Sequence, residues 1–109
     1  MSYISENFHK FVPKFGKYSN GRIALSYNEP SGDPELAAAG YMVPACTATI
    51  NLPHIELADD EVIIKDYSEN EGLYACMVAA GHISPKIRKA GSGFITAPVC
   101  KLLLTPQKS

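Results

Sequence analysis

Alternating apolar and polar positions predict short strands in the first half of the chain. Between residues 22 and 27 every second side chain is a large apolar one, the pattern of a half-buried strand. The Asn20-Gly21 pair just before it tolerates positive φ at both positions and predicts a tight turn. We therefore expect a β-hairpin over residues 8–27. Pro13 has no N–H to donate, which limits the first strand to a sheet edge or a late start.

Further strand-like runs follow, separated by turn residues. Residues 45–52 alternate, with Cys46, Ala48, Ile50 and Leu52 on one face and Thr47, Thr49 and Asn51 on the other. We also expect a short strand at 61–65, a strand or extended arm at 83–89, a turn at Gly91-Ser92-Gly93, and a last strand at 94–104 in which Pro98 marks a bulge or an edge.

Residues 28–44 predict a punctuated loop. Asp33 has the chemistry of an N-cap, Pro34 suits a first helical position, and Gly40 suits a stop, so one or two helical turns are expected between them. Tyr41 and Met42 are apolar residues in this loop, and we expect both to fold back onto the core.

The clearest helix signal begins at Ser68. Ser68 and Glu71 have the spacing of a capping box, in which each side chain accepts from the backbone N–H of the other. The helix is expected to run to about Ala80 and to stop at Gly81. Its predicted buried stripe consists of Leu73, Cys76, Met77 and Ala80.

Together these elements predict an α+β fold in one small domain spanning residues 1–109. We expect a mostly antiparallel sheet of about five or six strands, with one principal helix packed on one face. Residues 1–7 and 105–109 are expected to be frayed.

Composition excludes several function classes. The formal net charge is −1, whereas a protein that coats nucleic acid is usually clearly basic. No apolar run approaches the roughly 20 residues that span a bilayer, and the first residues lack a signal-peptide pattern, so a cytoplasmic protein without membrane contact is expected. The three cysteines and three histidines are scattered without metal-ligand spacing. We expect buried thiols, no metal, no cofactor and no enzymatic activity.

Charge is concentrated in two segments. Seven of the eleven carboxylates lie between residues 56 and 71, and basic residues gather in the N-terminal hairpin at Lys10, Lys14, Lys17 and Arg22. An acidic surface can compete with phosphate for a basic groove on a partner. Ordinary solvated charge and helix capping explain the same residues and stay open as an alternative.

The chain resembles a family of small proteins, a domain of unknown function, carried on phages, plasmids and integrative elements of gut-type bacteria. The resemblance covers roughly residues 20–104, and its most specific part is the run from Ile64 to Gly72. It rests on Asn51-Leu52-Pro53, Asp60-Glu61-Val62, Ile64-Lys65-Asp66-Tyr67-Ser68-Glu69-Asn70-Glu71-Gly72, Ser92-Gly93-Phe94 and Pro98-Val99-Cys100-Lys101-Leu102. The resemblance implies a genomic setting in which small proteins often inhibit host defence, such as anti-CRISPR or anti-restriction factors.

Our leading hypothesis is a non-enzymatic interaction protein of a mobile element that occludes a host protein or protein–nucleic-acid complex. The predicted contact residues are Asp59, Asp60, Glu61, Asp66, Tyr67 and Glu69. The alternative is a nucleic-acid accessory protein that uses the basic hairpin and residues 86–89. A small enzyme is a third possibility, and a homodimer through an open strand edge is compatible with any of them.

Overall fold

A computed structural model of the chain describes residues 3–92 and 95–104, with the backbone alone for residues 92 and 95. Three short helices and six strands occur in these ranges. They are α1 (Tyr3–Asn7), β1 (Val12–Lys17), β2 (Ile23–Pro30), α2 (Pro34–Ala38), β3 (Met42–Thr47), β4 (Glu61–Ile63), α3 (Leu73–Ala79), β5 (Arg88–Ser92) and β6 (Ile95–Lys101), with 3₁₀ turns at Phe8–Lys10 and Ser68–Asn70.

The strands form two antiparallel three-stranded sheets, so the α+β class is confirmed while the single five- or six-stranded sheet is wrong. The first sheet has the order β1-β2-β3 and the second the order β4-β6-β5. No helix among the described residues covers a whole sheet face; α3, the longest, has seven residues. Residues of both sheets and of α3 contribute to one packed core.

The predicted N-terminal hairpin is confirmed. Tyr18 N donates to Arg22 O at 2.8 Å, and Gly21 closes the turn at φ +85°, a conformation that glycine adopts without steric cost. Ladder alternation from this pair outwards puts Pro13 opposite Tyr27 in a non-hydrogen-bonded pair. The proline nitrogen therefore faces the open edge, where no ladder bond is lost.

Residues 28–44 are more regular than a loop. β2 continues to Pro30 and β3 begins at Met42, so the chain forms a second hairpin with α2 at its tip. The expected caps of α2 are confirmed: Asp33 Oδ1 accepts from Glu35 N at 2.9 Å, and Gly40 ends the helix at φ +90°. The strand β3 tolerates Pro44, because the proline nitrogen faces an open edge of the sheet by the alternation of the ladder.

The second sheet places β6 at its centre. The expectation that Pro98 marks a bulge or an edge is therefore wrong. Pro98 O accepts from Ile64 N at 3.0 Å, one residue after β4 ends. The N–H that proline lacks would have bonded at this last position, so only the end of the β4–β6 ladder is interrupted. Of the turn expected at 91–93, Gly91 and Ser92 belong to β5, and Gly93 lies outside the described residues together with Phe94.

Residues 48–50 join the two sheets. Ala48 N donates to Leu25 O in the first sheet, while Ile50 N donates to Ile63 O and Thr49 bridges to Ile64 in the second. Thr49 is buried, contrary to the expected strand over 45–52 in which it faces away from the core. The strand ends at Thr47 because the chain leaves one sheet here to pair with the other.

The Thr49 hydroxyl ties this junction together. Thr49 Oγ1 accepts from Leu25 N at 3.1 Å and lies 2.9 Å from the Tyr18 hydroxyl, which also reaches Thr49 O at 3.1 Å. A buried polar group costs free energy unless it is hydrogen-bonded. Here the three bonds link Thr49 to two other stretches of the chain, at Leu25 and at Tyr18.

The apolar core has two parts. The main cluster lies between the sheets and α3, and includes Leu25, Tyr27, Val62, Leu73 and Met77. The second lies on the other face of the β4-β6-β5 sheet, where residues 50–57 cover Ile63, Ala90, Ala97 and Val99. Residues 50–57 therefore complete the second cluster although they contain no regular element.

The principal helix begins later than the capping box predicts, and that prediction is wrong. Ser68 adopts φ 56° and makes no capping bond. Asn70 is buried and donates to Thr47 O at 2.6 Å, which holds Ser68–Asn70 in a 3₁₀ turn, so α3 starts at Leu73 after Gly72 at φ 92°. The functional cap is Asp66, whose Oδ1 accepts from Tyr74 N at 2.9 Å.

The far end of α3 follows the prediction. Gly81 has φ 76°, and His82 N and Gly81 N donate to Met77 O and Val78 O in the pattern of a Schellman motif. Of the predicted stripe, Leu73 and Met77 are buried, each contributing about 2 kcal/mol of burial. Cys76 is half-buried and Ala80 is exposed, because the helix ends before Ala80.

The N-terminal residues are ordered where fraying was expected. Tyr3–Asn7 form α1, and Ile4 is buried in the main cluster. The other expected frayed positions, residues 1–2 and 105–109, lie outside the described residues.

Thr49→Val tests the junction. Valine keeps the shape of threonine but leaves Leu25 N without its side-chain acceptor, so we expect a loss of about 1–3 kcal/mol in the free energy of unfolding, measured by urea denaturation. Thr47→Val, at an exposed neighbouring site, is the matched control and should change stability little. Equal effects of the two substitutions would contradict the role given to Thr49.

Candidate functional site

The predicted acidic residues do not form one surface. Asp59, Asp60 and Glu61 lie at the start of β4, and Asp59 shares a polar pocket with the Asn20-Gly21 turn. Glu69 lies in the 3₁₀ turn whose Asn70 holds Thr47 at the end of β3. Residues that are close in sequence are thus divided between the turn of the first hairpin and the edge of β3.

Glu61 serves the structure of the protein. Both of its carboxylate oxygens accept from the Arg88 guanidinium, at 2.8 and 3.0 Å, and one also accepts from Ala58 N at 2.9 Å. These bonds lower the pKa of Glu61 to about 2, and the hydrogen bond from Arg88 is the largest cause. Arg88 also donates to Glu56 O, so the pair fastens residues 56–61 to β5.

The second acidic group is also paired internally. Glu69 forms an ion pair with Lys65, and the Lys65 ammonium lies 5.7 Å from the centre of the Tyr67 ring. Asp66 caps α3 through Tyr74 N. Asp60 Oδ2 is 3.8 Å from Lys101 Nζ. The Glu69 and Asp60 side chains remain 66 and 55 % exposed despite these ion pairs.

The basic residues are divided as well. Lys14 lies on the outer face of the first sheet, and Lys17 lies on the opposite face by the alternation of β1. Arg22 is turned inwards: its guanidinium donates to Leu52 O at 2.8 Å and to Ile55 O, which fixes residues 50–57 over the second apolar cluster. The N-terminal basic set consequently gives no continuous positive surface.

Four of the eight large apolar residues that are exposed among the described residues lie at the tip of the β2–β3 hairpin. The side chains of Leu36, Tyr41, Met42 and Val43 are 44, 60, 40 and 39 % exposed. The expectation that Tyr41 and Met42 fold back onto the core is therefore wrong, because β2 and β3 extend past the core and carry both residues away from it. We refer to these four residues as the hairpin tip.

The hairpin tip is held by backbone hydrogen bonds. Tyr41 N donates to Leu36 O at 3.0 Å and Gly40 N to Ala37 O at 3.0 Å, a second Schellman motif. Ser31 N donates to Tyr41 O at 3.0 Å and closes the hairpin below the helix. The sequence contained a signal for the helix at the tip, since Asp33, Pro34 and Gly40 mark the two ends of α2. It contained no signal for the outward direction of β2 and β3.

A groove lies beside the first turn of α3. It has a volume of about 350 Å³ and is lined by Asp66, Tyr74, Lys86, Lys89, Thr96, Ala97 and Pro98. Tyr74 spans its wall, because Tyr74 N donates to Asp66 and the Tyr74 hydroxyl accepts from Lys86 N at 2.8 Å. The sequence analysis named Asp66 as a partner contact and placed Lys86 and Lys89 in the basic segment 86–89, whereas it assigned no role to Tyr74 or Thr96.

A buried aromatic group surrounds His82. The Tyr27 hydroxyl lies 2.7 Å from His82 Nδ1, and the Phe8 ring packs against both. Burial raises the pKa of Tyr27 and lowers the pKa of His82, so the hydrogen bond joins a neutral phenol and a neutral imidazole.

The surroundings of the three thiols disfavour the thiolate form. Burial raises the pKa of Cys46 and of Cys100 to about 11, and raises that of Cys76 as well. A thiol nucleophile needs a lowered pKa, so the geometry provides none of the activation that a cysteine enzyme uses. Within residues 3–92 and 95–104, no three His, Cys, Asp or Glu side chains come together in a way that could hold a metal ion.

None of the helices in the described ranges has the length and apolar character to cross a membrane. No protein-family model, curated protein or solved structure matches this chain.

The His82–Tyr27 pair predicts a pH dependence of stability. The folded chain binds the His82 proton less readily than the unfolded chain, so the free energy of unfolding should fall as pH decreases below the ordinary value of 6.5. Thermal unfolding between pH 8 and pH 5 measures this effect. His82→Asn should flatten the dependence, whereas His54→Asn, at an exposed site, should keep it; the same slope in all three proteins would refute the assignment.

Glu61→Gln and Glu69→Gln form a matched pair of tests. Each removes one charge from an ion pair, but Glu61 also holds Ala58 and, through Arg88, residue 56. We expect Glu61→Gln to lower the urea midpoint clearly more than Glu69→Gln at pH 7. Since the lowered Glu61 pKa stabilises the fold above pH 4.5 and this stabilisation is lost towards pH 2, the difference between the variants should shrink in acid. A larger effect at Glu69 would contradict this account.

Proposed function

We propose that this protein is a non-enzymatic interaction protein that occludes a partner protein, with the hairpin tip as its central contact. The observation that carries the proposal is the exposure of four large apolar side chains within eight residues of a hydrogen-bonded hairpin. Clustered exposed apolar side chains mark interaction sites, and tyrosine is enriched among the residues that dominate binding.

Rigidity supports the same proposal. α2 is capped at both ends, and the Ser31–Tyr41 bond closes the hairpin, so few conformations are lost when a partner covers it. Met42 and Val43 lie on opposite faces of β3, and Met42 shares the outer face of the first sheet with Pro44 and Val12, which flank Asn28; Val12 is half exposed. The surface therefore extends from the tip onto the first sheet.

Side-chain contact is better supported than strand addition. Pro13 on β1 and Pro44 on β3 each remove an outward N–H from an edge of the first sheet. A homodimer through either edge would lose a backbone hydrogen bond at that proline. The proposed partner instead presents an apolar groove into which Tyr41 and Leu36 insert.

The acidic residues lie outside the contact surface in this proposal. Asp59 and Asp60 lie near the turn of the first hairpin, at the end of β2 opposite the hairpin tip. One partner would have to span the whole first sheet to touch both surfaces. The identity of the partner as a host-defence complex, and the setting of a mobile element, rest on the family resemblance alone.

The divided basic residues give less support to the nucleic-acid alternative. Arg22 is engaged with backbone carbonyls, and Lys14 and Lys17 lie on opposite faces of β1. A phosphate backbone is bound by a continuous positive track, which these residues do not provide.

Photo-cross-linking tests the proposal. A photoreactive phenylalanine analogue placed at Tyr41 should capture one protein from a lysate of the source organism, while the same analogue at Tyr67 should not. Tyr41→Ser/Met42→Ser should weaken binding of that protein at least about tenfold, because hot-spot side chains are lost. The midpoint of thermal unfolding should hold, since both side chains are exposed.

Asp59→Asn/Asp60→Asn is the matched control. It alters the exposed acidic pair and should leave capture at Tyr41 unchanged. Loss of binding in this variant alone would move the contact to the acidic residues. Retention of the protein on DNA, falling steeply with salt, would favour the accessory function and overturn the proposal.

A further inference from the structure

The groove beside α3 lies on an uncovered part of a sheet face. Lys89 pairs with Pro98 and Gly91 with Thr96, so Lys89, Pro98 and Thr96 share a face of the second sheet with Cys100. At Cys100 this face is buried in the main cluster. Towards Thr96 it passes beyond α3, and the space left beside the helix is the groove.

Several hydrogen-bond donors converge on this groove. Lys86 and Lys89 are both exposed, and neither forms an ion pair with a carboxylate of the described residues. The Tyr74 oxygen already accepts from Lys86 N, which leaves its own O–H free to donate. Together with Thr96, the residues that line the groove therefore include two lysines and two hydroxyl-bearing side chains.

Asp66 limits the chemistry of a ligand. Its Oδ1 is engaged by Tyr74 N, and its carboxylate adds one negative charge to the groove wall. A simple anion is attracted by the lysines and repelled by Asp66. A ligand that also carries a hydroxyl group converts this repulsion into a hydrogen bond, because a carboxylate accepts from it.

We propose that the groove binds a small phosphate monoester with a hydroxylated organic part. The phosphate lies between the Lys86 and Lys89 ammonium groups, with the Tyr74 and Thr96 hydroxyls as further donors, and a ligand hydroxyl donates to Asp66. A phosphate offers three strong acceptor oxygens and close to two negative charges, which match this donor set better than a carboxylate does. The groove volume falls in the range of small-ligand sites. This site is independent of the hairpin tip.

Titrations with glucose 6-phosphate, inorganic phosphate and glucose at constant ionic strength test the proposal. Backbone amide shifts of residues 86–90, followed by NMR, should saturate with glucose 6-phosphate, more weakly with inorganic phosphate, and not with glucose. Lys86→Met/Lys89→Met should weaken glucose 6-phosphate binding at least about tenfold, since charge-assisted bonds are lost. Lys14→Met/Lys17→Met removes the same charge on β1 and should leave binding unchanged.

Asp66→Asn separates the role of the carboxylate. Asparagine Oδ1 can still accept from Tyr74 N, so α3 keeps its cap while the charge is lost. Inorganic phosphate should then bind several-fold more tightly, and the preference for glucose 6-phosphate should shrink. An unchanged preference would overturn the assigned contact with Asp66.

Three other results would overturn the site itself. They are the absence of any saturable shift, equal weakening by the two lysine pairs, and saturation by a single-stranded oligonucleotide without saturation by glucose 6-phosphate. The last result would assign Lys86 and Lys89 to a nucleic-acid backbone.

Discussion

The structure depends on the way one buried threonine joins two small sheets. The main cluster lies between the two sheets and α3, so it forms only where the sheets are held together. The chain makes this connection over residues 48–50, where Ala48 N bonds to the first sheet and Ile50 N bonds to the second. Thr49 satisfies the remaining buried donor, Leu25 N, so the crossing leaves the core without an unpaired N–H at that point.

Once the sheets are joined in this way, the candidate surfaces take fixed places. The hairpin tip lies at one end of the first sheet, and the Asn20-Gly21 turn with Asp59 lies at the other. The groove occupies the far side, where the second sheet extends past α3. Three chemically different surfaces are thus kept apart on a chain of 109 residues. Much of its charge is engaged internally, as in the Glu61–Arg88 and Lys65–Glu69 pairs, and four of its eight exposed large apolar residues lie at the tip.

Local signals in the sequence predicted local structure well. The Asn20-Gly21 turn, the caps of α2 and the Gly81 stop all depend on the conformational freedom or hydrogen bonding of one or two residues, and each occurs where the pattern placed it. The capping box failed because Asn70, which no local pattern singles out, is drawn inwards to Thr47 O. That contact joins residues 23 positions apart, beyond any helical or strand period.

Longer-range features could not be read from the pattern for the same reason. The division of six strands between two sheets depends on Thr49 pairing with both Leu25 and Ile64, and an alternating run gives no hint of where a strand changes partner. The acidic residues between 56 and 71 are neighbours in sequence, but β4 and the 3₁₀ turn at Ser68–Asn70 place them in different elements. The groove combines α3, β5 and β6, and only its final packing brings Lys89 to Tyr74.

Hydrogen exchange of the protein, free and bound to its captured partner, tests whether the hairpin tip is the binding surface. We expect additional protection of backbone amides over residues 36–43 on binding, with residues 59–61 and 86–89 exchanging as in the free protein. Protection confined to residues 59–71, with the hairpin tip unchanged, would contradict it and make the acidic segment the binding surface.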